Sequence, residues 1–249
     1  MKTSTADRTL HVFEGFSEIG RPATLSELAR YLKIPVSSCS GLLNTLEQRG
    51  YLHAVEPRST YYPTNRLLQV ARGIADHDPL TSRISPLLEK LRDETGETVV
   101  LAKRRDDKVL FLDVVESRSN IRYVAHVGET RLLHASSLGK ALLSVMPDAE
   151  RTRVLQQLVF RRLTAKTLRT PKALETSIKI DRRRGCYVNF GESVPDLYAI
   201  ARPLIVDGKT YAIAVIGPGK RIEDNQKRLF VALEKACKAA PDSVPRSRA

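Results

Sequence analysis

Tryptophan is absent from the 249 residues, methionine occurs twice and cysteine three times. The cysteines, Cys39, Cys186 and Cys237, are odd in number, widely spaced and without a CxxC pair. They fit neither a disulfide framework nor a zinc site, and a reducing cytoplasm is the expected setting. No apolar run approaches the roughly 18 residues needed to cross a bilayer. Met1 to Arg8 carries no apolar signal-peptide stretch, so a protein that is neither membrane-bound nor exported is expected. Internal repeats and low-complexity segments are missing too. With 13 glycines, 13 prolines and 42% hydrophobic residues, disordered, collagen-like and linker-dominated chains are excluded.

Catalytic signatures are also missing. His11, His53, His77, His126 and His134 include no HExxH pair, so no helix presents two imidazoles one turn apart to a metal. Gly191-Glu192-Ser193-Val194-Pro195 lacks the second glycine of a nucleophile elbow. Gly139-Lys140 and Gly219-Lys220 fail as phosphate loops. His134 and Ala214 stand where the earlier glycine is needed, and no Ser or Thr follows either lysine. No catalytic residue, metal or cofactor is expected.

What the chain does have is positive charge: 41 Lys and Arg against 28 Asp and Glu give a formal +13. An anionic partner is implied, nucleic acid first, although net charge alone bears on association and solubility. The texture changes near residue 79. Before it, Thr5 to Phe16 reads as a helix stopped by Gly20-Arg21-Pro22. Thr24-Leu25-Ser26-Glu27 reads as a capping box opening a second helix with Leu25, Leu28, Ala29 and Leu32 inward. A third helix, about Val36 to Gln48, buries Cys39, Leu42, Leu43 and Leu46 and ends at Gly50. Tyr51 to Val55 and Tyr61 to Pro63 read as two short strands around a polar turn, the pattern of a wing. A further helix follows, broken at Asp76-His77-Asp78-Pro79.

The second part begins with a helix from about Leu80 to Glu94. Strands are expected over Thr98–Lys103, Lys108–Glu116 and Ile121–Val127, then helices at about Ser137–Ser144, Ala149–Leu158 and Lys172–Arg184. Strands near Tyr187–Phe190, Tyr198–Val206 and Tyr211–Ile216 and a last helix over Glu223–Ala239 complete the reading. This order predicts an α+β fold with a central antiparallel sheet behind the helix-turn-helix domain.

A helix-turn-helix reads double-stranded DNA with side chains near the start of its second helix, while flanking groups hold phosphates. Ser37, Ser38, Ser40 and Asn44 lie opposite the apolar side of the third helix. Asn can make a paired contact to adenine, and Ser is a less selective donor and acceptor. Arg21, Lys33, Arg49, Arg58 and Arg66 surround this face as candidate phosphate contacts. The competing reading makes the serines helix caps and the arginines solvated.

The sequence resembles the IclR family of transcriptional regulators over about Asp7 to Ala239. The resemblance rests on Leu25-Ser26-Glu27-Leu28-Ala29, Leu46-Glu47-Gln48-Arg49-Gly50-Tyr51-Leu52 and Tyr62-Pro63-Thr64-Asn65-Arg66-Leu67 in the first part. In the second it rests on Leu133 to Leu143, Arg183-Arg184-Gly185-Cys186-Tyr187 and Ala199-Ile200-Ala201-Arg202-Pro203-Leu204. It implies a winged helix-turn-helix domain over 1–66, a linker helix over 67–79, a GAF-like effector-binding and oligomerisation domain over 80–240, and a flexible tail over 241–249. It also implies a cytoplasmic homodimer or homotetramer whose operator binding responds to a small-molecule effector. One departure concerns DNA: recognition helices of this kind often expose a basic residue or histidine, and Val36 to Gln48 contains none. Affinity then leans on the wing and flanks, on salt-sensitive contacts from Arg58 and Arg66.

A second departure concerns the effector. In similar proteins that bind small keto acids, an acidic residue, a cysteine and two serines line the ligand site. The resemblance puts Asn189, Ala199, Ala214 and Ile216 in their places, with Tyr123, Arg131, Ser137 and Leu138 as the nearby wall. A more apolar pocket implies a larger effector, such as an aromatic acid. Asn189 would serve as a neutral hydrogen-bonding group, Tyr123 as a stacking face and Arg131 as a carboxylate partner, and the helix begun by Ser137-Leu138 would offer amides to an anion. The competing reading makes the apolar residues plain core. Two other classes remain: a small-molecule enzyme with an accessory DNA-binding domain, and a ligand-independent DNA-binding protein.

The +13 is not where DNA reading is expected. Residues 1–78 hold nine basic and eight acidic residues, whereas 161–184 hold nine and two. That basic stretch is either a solvated helical face or a contact to phosphates or another anionic partner.

Overall fold

The computed structural model describes residues 4–55, 59–76 and 79–240. The chain divides into two units, residues 1–78 and 79–249. In the first, helices α1 (Thr5–Ile19), α2 (Leu25–Leu32) and α3 (Val36–Gln48) surround one apolar cluster. Ser4 caps α1 by accepting the Asp7 amide, and Gly20, left-handed at φ 67°, ends it. Thr24 and Glu27 form the reciprocal capping box at the start of α2. Val12, Phe16, Leu28, Cys39, Leu43 and Leu52 are buried together, each large aliphatic or aromatic side chain contributing about 1.5–3 kcal/mol by leaving water.

Strands β1 (Ala23–Thr24), β2 (Leu52–Val55) and β3 (Thr60–Pro63) form an antiparallel sheet with β3 in the middle. Strand β1, two residues long, is too short to carry an alternation and was not among the expected elements. Helix α4 (Arg66–Asp76) follows, with residues 66–74 all exposed. The expected Arg58, the end of the expected linker helix at residues 77 and 78, and the expected tail at 241–249 lie outside the described residues.

The second unit is a three-layer arrangement. Its elements are α5 (Pro79–Thr95), β4 (Thr98–Arg105), β5 (Lys108–Val115), β6 (Thr130–Leu132), α6 (Ser137–Ser144), α7 (Asp148–Gln157), α8 (Pro171–Arg184), β7 (Tyr187–Phe190), β8 (Leu197–Val206), β9 (Lys209–Pro218), α9 (Gly219–Asp224) and α10 (Gln226–Ala239). The sheet order is β6-β5-β4-β9-β8-β7, and every pairing is antiparallel. Two-residue turns, Asp106-Asp107 and Asp207-Gly208, join the long hairpins, with left-handed Asp106, Asp207 and Gly208 supplying the twist.

Alternation then sorts the faces. Val99, Leu101, Ile200, Ile213 and Val215 pack with α5, α9 and α10. Val100, Ala102, Ala199, Ala201, Ala212 and Ala214 pack with α6 and α8. The alanines let α6 lie close to the sheet, and all eight of its residues are buried.

Two expected elements differ. Ile121–Val127 forms no strand; Tyr123 is half-buried and Ala125 buried while Ile121, Val124 and Val127 are exposed. Only Tyr123 and Ala125 turn inward, and the segment has no ladder; Thr130–Leu132 takes the place beside β5. The expected last helix is two helices, α9 and α10, separated at Asn225, which leaves helical geometry at φ −106°, ψ 9°.

Candidate functional site

Helix α3 turns Ser37, Gly41, Asn44 and Gln48 to solvent, a stripe at i, i+4, i+7 and i+11 that lies on one face of a helix. Pro35 holds the N-cap position and no side chain caps the helix. The first-turn serines are therefore not caps, and the first amides stay open to an acceptor such as a phosphate oxygen. Ser38 lies about a quarter-turn from the stripe. With Arg49 it lines a groove of about 550 Å³ against Arg8 and Phe13 of α1 and Leu67 of α4. Ser40 is half-buried on the other flank. Gln48, which belongs to the outward stripe, was not among the expected contacts; continuing the helical spacing one turn beyond Asn44 finds it.

The flanking cations differ in their partners. Arg21 donates to Glu27 at 2.7 Å and to the Pro22 carbonyl at 3.0 Å, so it is engaged by the carboxylate that caps α2. Arg21, the Thr24 amide and the Thr24 hydroxyl together hold the Glu27 pKa down at about 2. Lys33 is exposed and ends α2 in a left-handed conformation at φ 53°. Arg49 is exposed at the end of α3. Arg66 lies over the Tyr51 ring, 5.3 Å from its centroid, which holds its charge close to β2.

In the second unit, the start of α6 and strands β5 to β9 enclose a cavity of about 210 Å³. Seven of the eight expected effector residues line it: Tyr123, Arg131, Ser137, Leu138, Asn189, Ala199 and Ile216. Phe111, Leu132, Ser136, Leu163, Ser193 and Leu197 are among the other lining residues. Arg131 Nη2 donates to the Tyr123 hydroxyl at 2.9 Å and to Glu129 at 2.5 Å, and Nη1 donates to the Thr130 carbonyl at 3.1 Å. Partial burial pulls the Arg131 pKa down while Tyr123 and Glu129 push it up, and the net shift is upward. Ser136, not Ser137, is the cap of α6: its hydroxyl accepts the Gly139 amide at 3.2 Å. Ser137 and Leu138 are then the first helical residues. Among the described residues no cluster of His, Cys, Asp and Glu is placed to hold a metal ion, and no helix is long and apolar enough to cross a membrane.

The family descriptions "IclR helix-turn-helix domain" and "Bacterial transcriptional regulator IclR C-terminal" match residues 5–56 and 73–242. The chain belongs to the IclR family of transcriptional regulators. A curated relative, the HTH-type transcriptional regulator BhcR of Paracoccus denitrificans, is 31% identical over 88% of this chain and 78% of its own length. Two solved structures share the fold. The IclR protein of Thermotoga maritima matches at TM-score 0.76 and 20% identity over 94% of this chain and 97% of that one. An IclR homologue of Microbacterium hydrocarbonoxydans, complexed with 4-hydroxybenzoate, matches at 0.66 and 24% over 95% and 100%.

Within this IclR-family chain three expectations about the cavity change. Ala214 does not line it. It is fully buried on the same sheet face as Ile216, and two residues along a strand, about 6.6 Å, carry it under α6. Asn189 is occupied by the protein itself. Its amide nitrogen donates to the Ala135 carbonyl at 2.8 Å and to Ser193 at 3.3 Å, and its oxygen accepts the Glu192 amide at 2.8 Å. One lone pair is left for a ligand, so its main work is to hold the loop after β7. Arg131 already has a carboxylate partner, Glu129, at 2.5 Å, a residue not among the expected contacts.

The basic stretch has local partners. Lys172, Lys179, Arg182, Arg183 and Arg184 are all exposed on α8. Arg182 donates to the Ser144 carbonyl at the end of α6 at 2.5 Å, Arg184 lies 3.4 Å from Asp181 and Lys179 lies 3.7 Å from Glu175. The three arginines occupy the last turn of α8, where the helix dipole favours cations.

Proposed function

We propose that the chain is a DNA-binding regulator whose operator affinity is set by an aromatic carboxylic acid held in the cavity beneath Tyr123 and Arg131. One observation carries this reading: a cavity of about 210 Å³ has mostly apolar walls, including Phe111, Leu138, Leu163 and Ile216, and one guanidinium, Arg131. Such a site, below the size that drug-like ligands fill, suits a single ring bearing one carboxylate. The family relative complexed with 4-hydroxybenzoate supports the same ligand class. Effectors of this kind act by binding one arrangement of the DNA-reading heads better than another. A differential of about 1–3 kcal/mol changes DNA affinity roughly 5- to 150-fold.

In this reading Ser37, Asn44 and Gln48 face the bases. Lys33, Arg49 and Arg66 face phosphates, with Arg21 available only in competition with Glu27; Arg58, a further phosphate candidate, lies outside the described residues. The chain works as a homodimer or homotetramer in the cytoplasm, where its DNA is. Helix α4 exposes Leu67, Val70 and Ile74 along one side, an apolar stripe that a second copy of the chain covers. The test is a titration of 4-hydroxybenzoate into the full chain bound to operator DNA selected from genomic fragments, followed by fluorescence anisotropy. A change in affinity of five-fold or more is expected. Unchanged affinity with every benzoate tried, together with a response to a short keto acid, would overturn the assignment of the ligand class.

A further inference from the structure

We propose that Glu129 is a built-in competitor for the effector's carboxylate, so that an acid gains the Nη2 end of Arg131 only by exchanging with the protein's own side chain. The inference rests on the effector reading above and concerns what sets that site's preference for an anion. Arg131 is the cation of the cavity wall, yet both hydrogens of its Nη2 are in use, one on Tyr123 at 2.9 Å and one on Glu129 at 2.5 Å. A ligand carboxylate arriving at this guanidinium therefore meets a charge already neutralised and a second carboxylate beside it. Like charges on one cation oppose each other, so the two anions bind in exchange.

The local backbone is built for such an exchange. The Glu129 carbonyl accepts the Phe111 amide at 2.9 Å, and the Gly128 amide donates to the Phe111 carbonyl at 2.9 Å. These bonds fix the main chain of 128–129 to β5. The Glu129 side chain can leave Arg131 without moving that backbone. Its second oxygen accepts the His126 amide at 3.0 Å, so departure of the carboxylate also frees that amide, while the Glu129 amide keeps its bond to the His126 carbonyl at 3.1 Å. Neither end of the pair is deeply buried, with the Arg131 side chain 40% and the Glu129 side chain 27% exposed. The penalty that Glu129 imposes is accordingly modest, about five-fold in ligand affinity. A neutral ligand of the same shape does not need the guanidinium and escapes the penalty.

The experiment is calorimetric titration of the full chain and its Glu129→Gln and Arg131→Gln variants with 4-hydroxybenzoate and with 4-hydroxybenzamide. Glu129→Gln is expected to bind the benzoate about five-fold more tightly than the native chain while the benzamide changes less than two-fold. Arg131→Gln should weaken the benzoate alone. In the native chain, adding the benzoate should speed hydrogen exchange at the His126 amide. If Arg131→Gln weakens the benzoate but Glu129→Gln leaves it unchanged or weaker, the competitor role is overturned and the effector reading stands. Equal tightening of both ligands, or unchanged His126 protection, also overturns the exchange. If neither ligand binds any of the three proteins, the effector reading fails and this inference falls with it.

Discussion

Lys140 Nζ lies 2.5 Å from Glu192 Oε1 in the second unit, with the lysine side chain 1% and the glutamate side chain 12% exposed. The same ammonium donates to the Val188 carbonyl at 2.8 Å. The pair ties α6 to the loop after β7, and residues close to both partners, Leu138 two residues before Lys140 and Ser193 next to Glu192, line the cavity proposed for the effector. Burial pushes the Glu192 carboxyl above its ordinary pKa even though Lys140 pulls it down, and burial raises the nearby Asp181 as well.

Removing one partner of such a pair leaves the other charge buried and uncompensated. Lys140→Met is expected to destabilise the second unit by about 3–5 kcal/mol, the usual cost of breaking a buried ion pair. The double change Lys140→Met with Glu192→Gln should recover most of that loss. Urea denaturation of the full chain followed by circular dichroism measures both. A double variant as unstable as the single one would mean that shape, and not charge, holds the loop.

The capping box gives a pH signature in the first unit. The Glu27 pKa is lowered from 4.5 to about 2 by Arg21 and Thr24. A carboxylate with a depressed folded-state pKa contributes its full stabilisation above the unfolded value and loses it as pH falls toward the folded one. The contribution of Glu27 should therefore be complete above about pH 4.5 and fade between there and about pH 2. A carbon-detected NMR titration should give a Glu27 midpoint near 2, and Arg21→Ala should move it toward 4.5. An unshifted native midpoint would show that the Arg21 contact does not persist in solution.

Much of this architecture was legible because local chemistry and tertiary packing agree. Thr24 and Glu27 at capping-box spacing mark α2, and apolar residues at helical spacing mark α3. Asp207-Gly208 and Asp106-Asp107 sit between runs that do become hairpins. The errors came where one pattern serves two structures. Ile121 to Val127 alternates like a strand in sequence, yet the place beside β5 is held by β6, which no spacing within the segment records. Arg131 carried the signal of a lone cation, but its partner Glu129 stands two residues away on the other side of Thr130. Spacing puts the two on one side of an extended segment, and the structure shows them joined, Arg131 Nη2 to Glu129 at 2.5 Å. Ala214 and Ile216 alternate correctly onto one face, and the step of two residues that separates cavity from core is set by where α6 lies.

Helix α6 depends on the absence of a side chain at Gly139. A Cβ there would stand 1.9 Å from the Leu133 carbonyl oxygen, a backbone atom held in the turn before the helix. Gly139→Ala is expected to cost about 3 kcal/mol through overpacking and to lower the melting temperature of the second unit by about 6–12 °C. Differential scanning calorimetry gives the number. It should also weaken 4-hydroxybenzoate binding, because Ser137 and Leu138 sit one helical turn or less from the clash. A shift below 2 °C would show that the 133–135 turn yields easily.

The proposed function assigns base reading to the outward stripe of α3 and phosphate holding to the flanking cations. Asn44 and Gln48 carry amides that pair with adenine edges, while Arg66 is a charge held over Tyr51. Asn44→Ala and Gln48→Ala are each expected to weaken operator binding by about 1–3 kcal/mol and leave binding to random duplex nearly unchanged. Arg66→Ala should weaken both duplexes alike and reduce the slope of log affinity against log salt by about 1. Ser38→Ala, at a residue that lines the groove against α1, should change neither. Anisotropy titrations on the two duplexes over a salt series separate these outcomes. Should Ser38→Ala lower the specificity ratio while Asn44→Ala does not, the helix meets the major groove through its α1-facing flank, and the stripe of Ser37, Asn44 and Gln48 points away from the bases.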